Sequence, residues 1–186
     1  MHIAKLAPIF SDNARVSPLM GSALSLMVRA SFASVLLPFF LNSFSTKVDG
    51  FSLTIGAYAQ ILPKQIEALG YDASAVPWPL FLVVLAGTLA ELVLPLVILL
   101  GIATRLTAFG MIGFIAVMSL TDIYGHGVDA ATIGAMFDTD PYGLIADQRL
   151  MWCLMMVVLM VTGGGAFSID GLVSRWLRPA VQSAHA

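Results

Sequence analysis

One carboxylate, Glu91, lies near the middle of a long apolar run of the sequence, residues 78–105. About 20 apolar residues cross the hydrocarbon core of a bilayer, and an ionisable side chain at that depth costs about 3 kcal/mol and usually pairs inside the protein. A buried carboxyl group can accept a proton or bind the head group of a quinol-like ligand. It can also close a structural ion pair that fixes helix register, or contact lipid or another copy of the chain. The sequence alone leaves these alternatives open.

Three neighbours are predicted to share a helix face with Glu91, because each lies three or four positions away: Gly87, Thr88 and Pro95. The small residues on this face indicate packing against another helix. Pro95 has no N–H, so the backbone carbonyl of Glu91 also needs another polar partner. The expected partners complete a predicted intramembrane polar site, whose other members are Arg29, Ser34, Asn42 and Arg105.

A second polar cluster is predicted outside the membrane and comprises Asp122, His126, Asp147 and Arg149. Asp122 and His126 are four positions apart and can share a helix face, although the glycines beside His126 favour a turn equally. One histidine with loosely spaced aspartates is a weak signal for a metal, so no metal site is assigned. The preferred interpretation is a solvated surface with a contact between Asp147 and Arg149.

The single cysteine, Cys153, limits the chemistry of the chain. An intramembrane thiol oxidoreductase needs a cysteine pair to form and pass on a disulfide, so this chain does not perform that reaction alone. No metal-ligand spacing, phosphate-binding glycine loop or Ser-His-Asp pattern is evident. The net charge of −2 gives no reason to expect a nucleic acid partner. We expect neither a complete catalytic motif nor a covalently bound cofactor.

The composition is that of an integral membrane protein, since 59% of the 186 residues are hydrophobic and only 11% are charged. Soluble domains carry roughly 25% charged residues. The apolar stretches are long and do not alternate with polar residues, which favours helices over a membrane barrel. We therefore predict an all-α integral membrane four-helix bundle. No cleavable signal peptide is expected, because charges and prolines interrupt the first 18 residues.

The apolar stretches predict the bounds of the last three spans. The second span covers Trp78–Leu100, and a tight turn at Gly101 leads into the third, residues 106–124. The fourth is uninterrupted only over residues 150–162, which is too short at about 1.5 Å per residue. The helix must therefore include residues 147–149 at its start or continue towards residue 169.

The first span lies within residues 19–46, and we expect Arg29 at the inner end of a helix over residues 30–46. Small and polar residues recur on this helix at steps of three and four, which predicts one inward-pointing face. The members of this face are Ser31, Ser34, Pro38, Asn42 and Ser45. On the third span, Gly110 and Gly113 are expected to let a neighbouring helix approach closely.

Charge asymmetry predicts the orientation of the chain. Basic residues collect at the end that holds both termini and the Gly101 turn, whereas the two long connections hold most of the acidic residues. By the positive-inside rule, both termini are cytoplasmic and the two long connections lie outside. The predicted organisation is a cytoplasmic tail over residues 1–18, a transmembrane domain over 19–170 and a second cytoplasmic tail over 171–186.

Several stretches then carry a family resemblance in a fixed order. Arg29 precedes the first span and Lys47 follows it. The block LAGTLAELVLPLVILLGIATR holds Gly87, Glu91, Gly101 and Arg105, the stretch DQRLMW leads into the fourth span, and GGGAFSID closes it. This order resembles the DoxX family over most of residues 29–170.

The resemblance implies a small multi-pass protein of the bacterial inner (plasma) membrane. Members are linked to respiratory or redox complexes, including a thiosulfate:quinone oxidoreductase subunit and thiol-stress assemblies. The implied function is a quinone-facing or anchoring subunit of a redox complex. Quinone is then the expected cofactor, and the expected partners are membrane lipid, redox proteins and a second copy of the chain. The alternative is a non-catalytic membrane scaffold or small-molecule carrier, and whether the chain takes part in catalysis stays open.

Overall fold

Four helices that are long and apolar enough to cross a membrane form the body of the protein. The computed structural model describes residues 17–183, with side chains described up to residue 177. The predicted all-α four-helix membrane fold is confirmed. Four helices form these candidate spans, and two of them are each extended at one end by a π-helical turn. Their bounds are Pro18–Lys47 (α1), Trp78–Leu100 (α4), Thr104–Leu120 (α5) with the turn Thr121–His126, and Arg149–Thr162 (α7) preceded by the turn Leu144–Gln148.

Shorter elements join these spans. The first connection contains a two-stranded antiparallel hairpin in which Val48 pairs with Leu53 and Asp49 with Ser52. Its elements are β1 (Val48–Asp49), β2 (Ser52–Leu53), α2 (Ile55–Ile61), α3 (Pro63–Ala68) and a 3₁₀ turn (Ala73–Ala75), whereas α6 (Ala130–Ile133) lies in the second connection and α8 (Ile169–Ser183) closes the chain. We call the end of the bundle that holds the two long connections the loop end, and the opposite end the termini end.

Helix α1 is longer than the sequence predicted. It starts at Pro18, with the Ser17 hydroxyl accepting a hydrogen bond from the backbone N–H of Met20, as expected of an N-cap followed by proline. Arg29 therefore lies well inside the helix, and its expected position at a helix end is wrong. The charge is tolerated inside the helix because the buried Arg29 guanidinium donates hydrogen bonds to backbone carbonyls of neighbouring segments.

The face of α1 that points into the bundle also differs from the prediction. The expected inward residues Ser31, Ser34, Pro38, Asn42 and Ser45 are all exposed. The buried side chains are Ser25, Arg29, Phe32, Leu36, Phe40 and Lys47. Large apolar side chains decide the orientation, because they fill the centre of the bundle and pack around Met111, Met156 and Leu159. The small polar residues then fall on the opposite side.

The tight turn between α4 and α5 is confirmed and depends on two left-handed residues. Gly101 has φ +67° and Ala103 has φ +43°. A Cβ atom on Gly101 would lie 2.5 Å from the Cβ of Ser168, so the close approach of the closing segment requires glycine here in addition to the backbone conformation. The turn thus fixes both the antiparallel pairing of α4 with α5 and the docking of the segment before α8.

The fourth span gains its length at the loop end, which is one of the two predicted solutions. The turn Leu144–Gln148 runs directly into α7, and the combined helix is 19 residues long. The helix ends at Gly163, whose φ of +70° stops it. The extension towards residue 169 does not form. The predicted tail 1–18 lies, apart from its last two residues, outside the described part, and most of the predicted tail 171–186 forms α8.

Candidate functional site

A cavity of about 700 Å³ occupies the loop-end half of the bundle. It lies between α1, α4 and α5 under the short helix α2, and a single residue of α7 reaches it. Apolar side chains form much of its wall, and the aromatic rings of Phe39 and Phe114 take part in it. Its polar lining residues come from five different parts of the chain: Ser43, Lys47, Gln60, Glu91, Thr121, Asp122, His126 and Arg149.

Glu91 lies in the wall of this cavity with 6% of its surface exposed. The Nζ atom of Lys47 lies 2.9 Å from Oε2 of Glu91 and also donates to Oγ of Ser43 at 2.7 Å. The Ser43 hydroxyl in turn donates to Oε1 of Glu91 at 3.2 Å. The prediction that Glu91 is buried and bonded to a polar group on another helix is confirmed. The result is an ammonium, a hydroxyl and a carboxylate in one hydrogen-bonded triangle.

A second ion pair joins Arg149 and Asp122 in the same cavity. Arg149 is 4% exposed, and its other terminal nitrogen donates to Oγ of Ser119 at 2.9 Å. Asp122 lies in the π-helical turn that follows α5, and Arg149 comes directly after the turn that precedes α7. Such turns widen a helix and are frequent at functional sites. Both members of this pair therefore lie at or beside a widened turn, and both line the cavity.

The short helices α2 and α3 cover the loop end of the cavity. Ile61 packs on Gly87, where an added Cβ would lie 3.0 Å from Cδ1 of Ile61. At Gly125 an added Cβ would lie 2.8 Å from Cγ of Pro63. The Nε2 atom of His126 lies 3.1 Å from the backbone oxygen of Gln60. Gly87 and Gly125 therefore permit a close approach of α2 and α3 to the bundle, and His126 contacts the backbone of α2.

Three buried polar atoms have no hydrogen-bond partner among residues 17–183: Oγ1 of Thr88, Oε2 of Glu91 and Nε of Arg149. The Glu91 oxygen is nevertheless compensated by the charge of Lys47, because that ammonium directs its protons to Ser43 while it stays within ion-pair distance. Unpartnered polar groups in a low-dielectric interior are costly. Two of the three residues that carry these atoms, Glu91 and Arg149, line the cavity.

The predicted intramembrane site of Glu91, Arg105, Arg29, Ser34 and Asn42 is not brought together. Arg29 lies at the termini end and donates to the backbone oxygens of Leu99, Gly164 and Phe167 at 2.7–3.2 Å. Arg105 is exposed at the same end and contacts the carbonyl oxygen of Val161. Ser34 and Asn42 are exposed on α1. None of these four residues is therefore brought to Glu91: Ser34 and Asn42 lie on the exposed face of α1, and Arg29 and Arg105 lie at the other end of the bundle.

The predicted outer cluster is brought together in part. Asp122, His126 and Arg149 all line the cavity, whereas Asp147 does not. The Asp147 carboxylate accepts a hydrogen bond from the backbone N–H of Gly143 at 2.8 Å. The expected contact between Asp147 and Arg149 is therefore wrong, and Arg149 pairs with Asp122 instead. In the described part of the chain, no three His, Cys, Asp or Glu side chains are grouped as a metal site would require.

Sequence reasoning did not assign Ser43 and Lys47 to the site, although a signal for them exists. Ser43 and Lys47 continue the series Arg29, Phe32, Leu36 and Phe40 at steps of three and four residues. This series is as regular as the series of small and polar residues from Ser31 to Ser45 that predicts a different inward face. The outcome at Lys47 shows that a lysine at the end of a span can turn back along its own helix, since Nζ bonds to the residue four positions earlier.

Comparison with known proteins gives one match. A family model described as DoxX matches residues 24–122, more than half of the chain. The match contains Ser43, Lys47, Glu91 and Asp122, and it ends before His126 and Arg149. No curated protein matches the chain. No solved structure matches it either.

Proposed function

The chain belongs to the DoxX family, and from this premise we propose that it is a quinone-binding subunit of a membrane redox complex. Its place would be the bacterial inner membrane, as the family resemblance implies. The electron donor would be a partner protein, since the sequence offers no complete catalytic motif. The proposal places the quinone head group in the cavity between α1, α4 and α5.

The observation that carries the proposal is the placement of two ion pairs, one buried and one partly buried, on the wall of one largely apolar cavity. Ligand sites in proteins are typically clefts of about 300–1,000 Å³ with apolar walls and a few polar groups that orient the ligand. The volume of about 700 Å³ lies within that range. Charges inside a membrane are costly and commonly mark functional sites.

The polar groups match the chemistry of a quinone head group, which supplies two-electron chemistry when bound. The Nε–H of Arg149 can donate to a carbonyl oxygen, and Oε2 of Glu91 can accept from a hydroxyl group. Ser43 bridges Lys47 and Glu91 and therefore offers a path by which a proton taken up at the carboxylate can be shared. These residues would bind, orient and exchange protons, whereas electrons would come from the partner.

The test is to purify the protein from membranes, extract it with organic solvent and measure quinone per protein by mass spectrometry. We expect quinone in the wild-type extract and a loss of about tenfold or more in Glu91→Gln, because a hydrogen bond to a charged group contributes about 1.5–3 kcal/mol. The matched control is Glu67→Gln, which removes an exposed carboxylate from α3 and should leave the quinone content unchanged.

The opposite result would favour the alternative function. If neither the wild type nor Glu91→Gln retains quinone, and quinone added to the purified protein does not bind, the redox proposal is wrong. A non-catalytic scaffold or a carrier of another small molecule is then the better assignment. Equal quinone contents in the wild type, Glu91→Gln and Glu67→Gln would instead show that quinone binding does not depend on Glu91.

A further inference from the structure

One wall of the cavity is open between α4 and α5. Five residues of these two helices line the cavity and are at the same time exposed: Val83, Ala86, Gly110, Gly113 and Val117. We call this set the lateral opening. Val83 is 49% exposed and Val117 is 61% exposed, so the gap reaches the surface of the bundle.

Small residues keep the lateral opening free. A Cβ atom added to Gly113 would have no neighbour within 4 Å, and one added to Gly110 would meet only Cδ2 of Leu94 at 3.7 Å. The expectation that these glycines bring a neighbouring helix close is therefore wrong for Gly113. Helices α4 and α5 leave a gap here instead of packing tightly.

The lateral opening lies at the depth of the hydrocarbon core. Val83 and Leu94, which line the cavity, are roughly 8 Å and 9 Å from the two ends of α4 at about 1.5 Å per residue. A hydrocarbon core is about 30 Å thick. The gap between α4 and α5 thus faces acyl chains. At the loop end, α2 packs over the cavity through Ile61, and Gln60 and His126 line the cavity there and are also exposed.

The inner wall supplies a second, independent sign of a ligand. Arg149 is 4% exposed, lines the cavity, and its Nε has no partner in the described part of the chain. In a hydrocarbon environment each unsatisfied polar group costs several kcal/mol. A molecule that enters from the bilayer and carries a hydrogen-bond acceptor would remove this cost.

From these observations we propose that the cavity takes its ligand sideways from the bilayer, through the lateral opening between α4 and α5. The ligand class is a lipid-dissolved amphiphile with a polar head that accepts a hydrogen bond from Arg149 and an apolar tail that lies between the two helices. This inference rests on the proposed function only in using the same cavity, and it holds for a quinone or for another membrane-dissolved amphiphile.

The experiment measures access to the cavity without using a quinone. Cys153 is replaced by alanine, and Ser43→Cys places one thiol in the cavity wall of the protein in lipid nanodiscs. Labelling is followed with an N-alkyl maleimide that partitions into lipid and with a sulfonated maleimide that stays in water. We expect the lipid-soluble reagent to react faster, and Gly113→Trp to slow its reaction by about tenfold or more.

The matched control is Ala116→Trp, which places the same side chain on the exposed surface of α5 away from the cavity lining. It should leave the rate unchanged. Val117→Trp is the second blocking variant and covers the case in which Gly113→Trp does not fold, as judged by size-exclusion chromatography. Unchanged labelling in a folded blocking variant, or faster labelling by the sulfonated reagent, would overturn lateral access.

The outcomes separate the two proposals. Blocked labelling together with an absence of quinone supports lateral access and rejects the quinone assignment. Quinone in the wild-type extract, together with labelling that neither tryptophan slows, keeps the proposed function and rejects lateral access.

Discussion

At the residue scale, two ion pairs share one cavity, Lys47 with Glu91 and Arg149 with Asp122. Lys47 and Glu91 are 1% and 6% exposed, so both charges are removed from water. The attraction within a buried pair often does little more than offset the cost of desolvation, but removal of one partner leaves an uncompensated charge. The presence of the ion pair therefore says little about the stability of the fold. Removal of either charge, however, is expected to destabilise the protein, because the other charge is left buried without a partner.

Lys47→Met tests this dependence. It leaves Glu91 buried beside Ser43 without its cation, and we expect the free energy of unfolding to fall by about 3 kcal/mol. Thermal unfolding in detergent measures the change as a lower Tm. Lys64→Met is the control, because Lys64 is an exposed lysine of α3 and its loss should leave Tm nearly unchanged.

The double variant Lys47→Met/Glu91→Gln removes both charges from the same place. We expect it to recover much of the lost stability, because a neutral amide costs less to bury than an unpaired carboxylate. A double variant that is less stable than Lys47→Met would contradict the pairing of these two residues as the source of the effect.

At the element scale, a long-range cap joins the start of α8 to the start of α5. Helix α5 has no side-chain cap from its own preceding residue Ala103. Instead, the Asp170 carboxylate at the start of α8 accepts hydrogen bonds from the backbone N–H groups of Ala103 and Thr104 at 2.7 Å and 2.8 Å, and from the Thr104 hydroxyl at 2.7 Å. A carboxylate at a helix N-terminus is stabilising, so α8 fixes the start of a membrane span.

The same contacts determine how stability depends on pH. Burial would raise the pKa of Asp170, but hydrogen bonds from Thr104 and Ala103 and the charge of Arg29 outweigh it and hold the pKa below its ordinary value. A carboxylate with a lower pKa in the folded state stabilises the protein above its unfolded pKa of about 4, and this contribution is lost as the pH falls through the folded value.

Asp170→Asn is therefore expected to lower the unfolding free energy by about 1 kcal/mol at neutral pH, as for other helix caps. The difference from wild type should shrink below about pH 4, because the wild-type carboxyl group is then becoming protonated. Measurement of Tm between pH 7 and pH 3 checks both statements. Asp49→Asn, an exposed aspartate of β1, is the control, and a mutant difference that persists unchanged at low pH would contradict the capping role.

At the scale of the whole molecule, the four candidate spans are even in number, so α1 begins and α7 ends at the same end of the bundle. The charge distribution of the sequence predicts that this side is the cytoplasm. With that orientation, the cavity lies in the outer half of the bilayer, and Arg29 and Asp170 lie at the cytoplasmic face.

Cysteine labelling tests the orientation. With Cys153 replaced by alanine, Ala135→Cys in the second long connection and Ser174→Cys in α8 each supply one exposed thiol. A membrane-impermeant maleimide added to intact spheroplasts should label Ala135→Cys, and it should label Ser174→Cys only after the membrane is opened. The reverse pattern would show that the termini face outwards.

The sequence by itself determined the membrane class, the four spans and the burial of Glu91 against a polar group of another helix. These features depend on local properties, namely the length of apolar runs, the start of α4 at Trp78, the turn at Gly101 and the cost of one carboxylate inside an apolar helix. The bounds of α4 agree with the prediction at both ends. None of this requires knowledge of which helices are neighbours.

Only the tertiary structure decided which residues meet Glu91. Two faces of α1 had the same helical spacing, and the choice between them depends on how large side chains such as Phe32 and Phe40 fill the centre of the bundle. That choice brings Lys47 to Glu91. Arg29 lies on the same face of α1 but about 27 Å further along the helix, where it bonds to carbonyls at the termini end. Likewise, Arg149, directly after the widened turn that precedes α7, lines the cavity and pairs with Asp122. The identity of a charge partner is a property of the packed bundle, because spacing along one helix does not specify the helix that it faces.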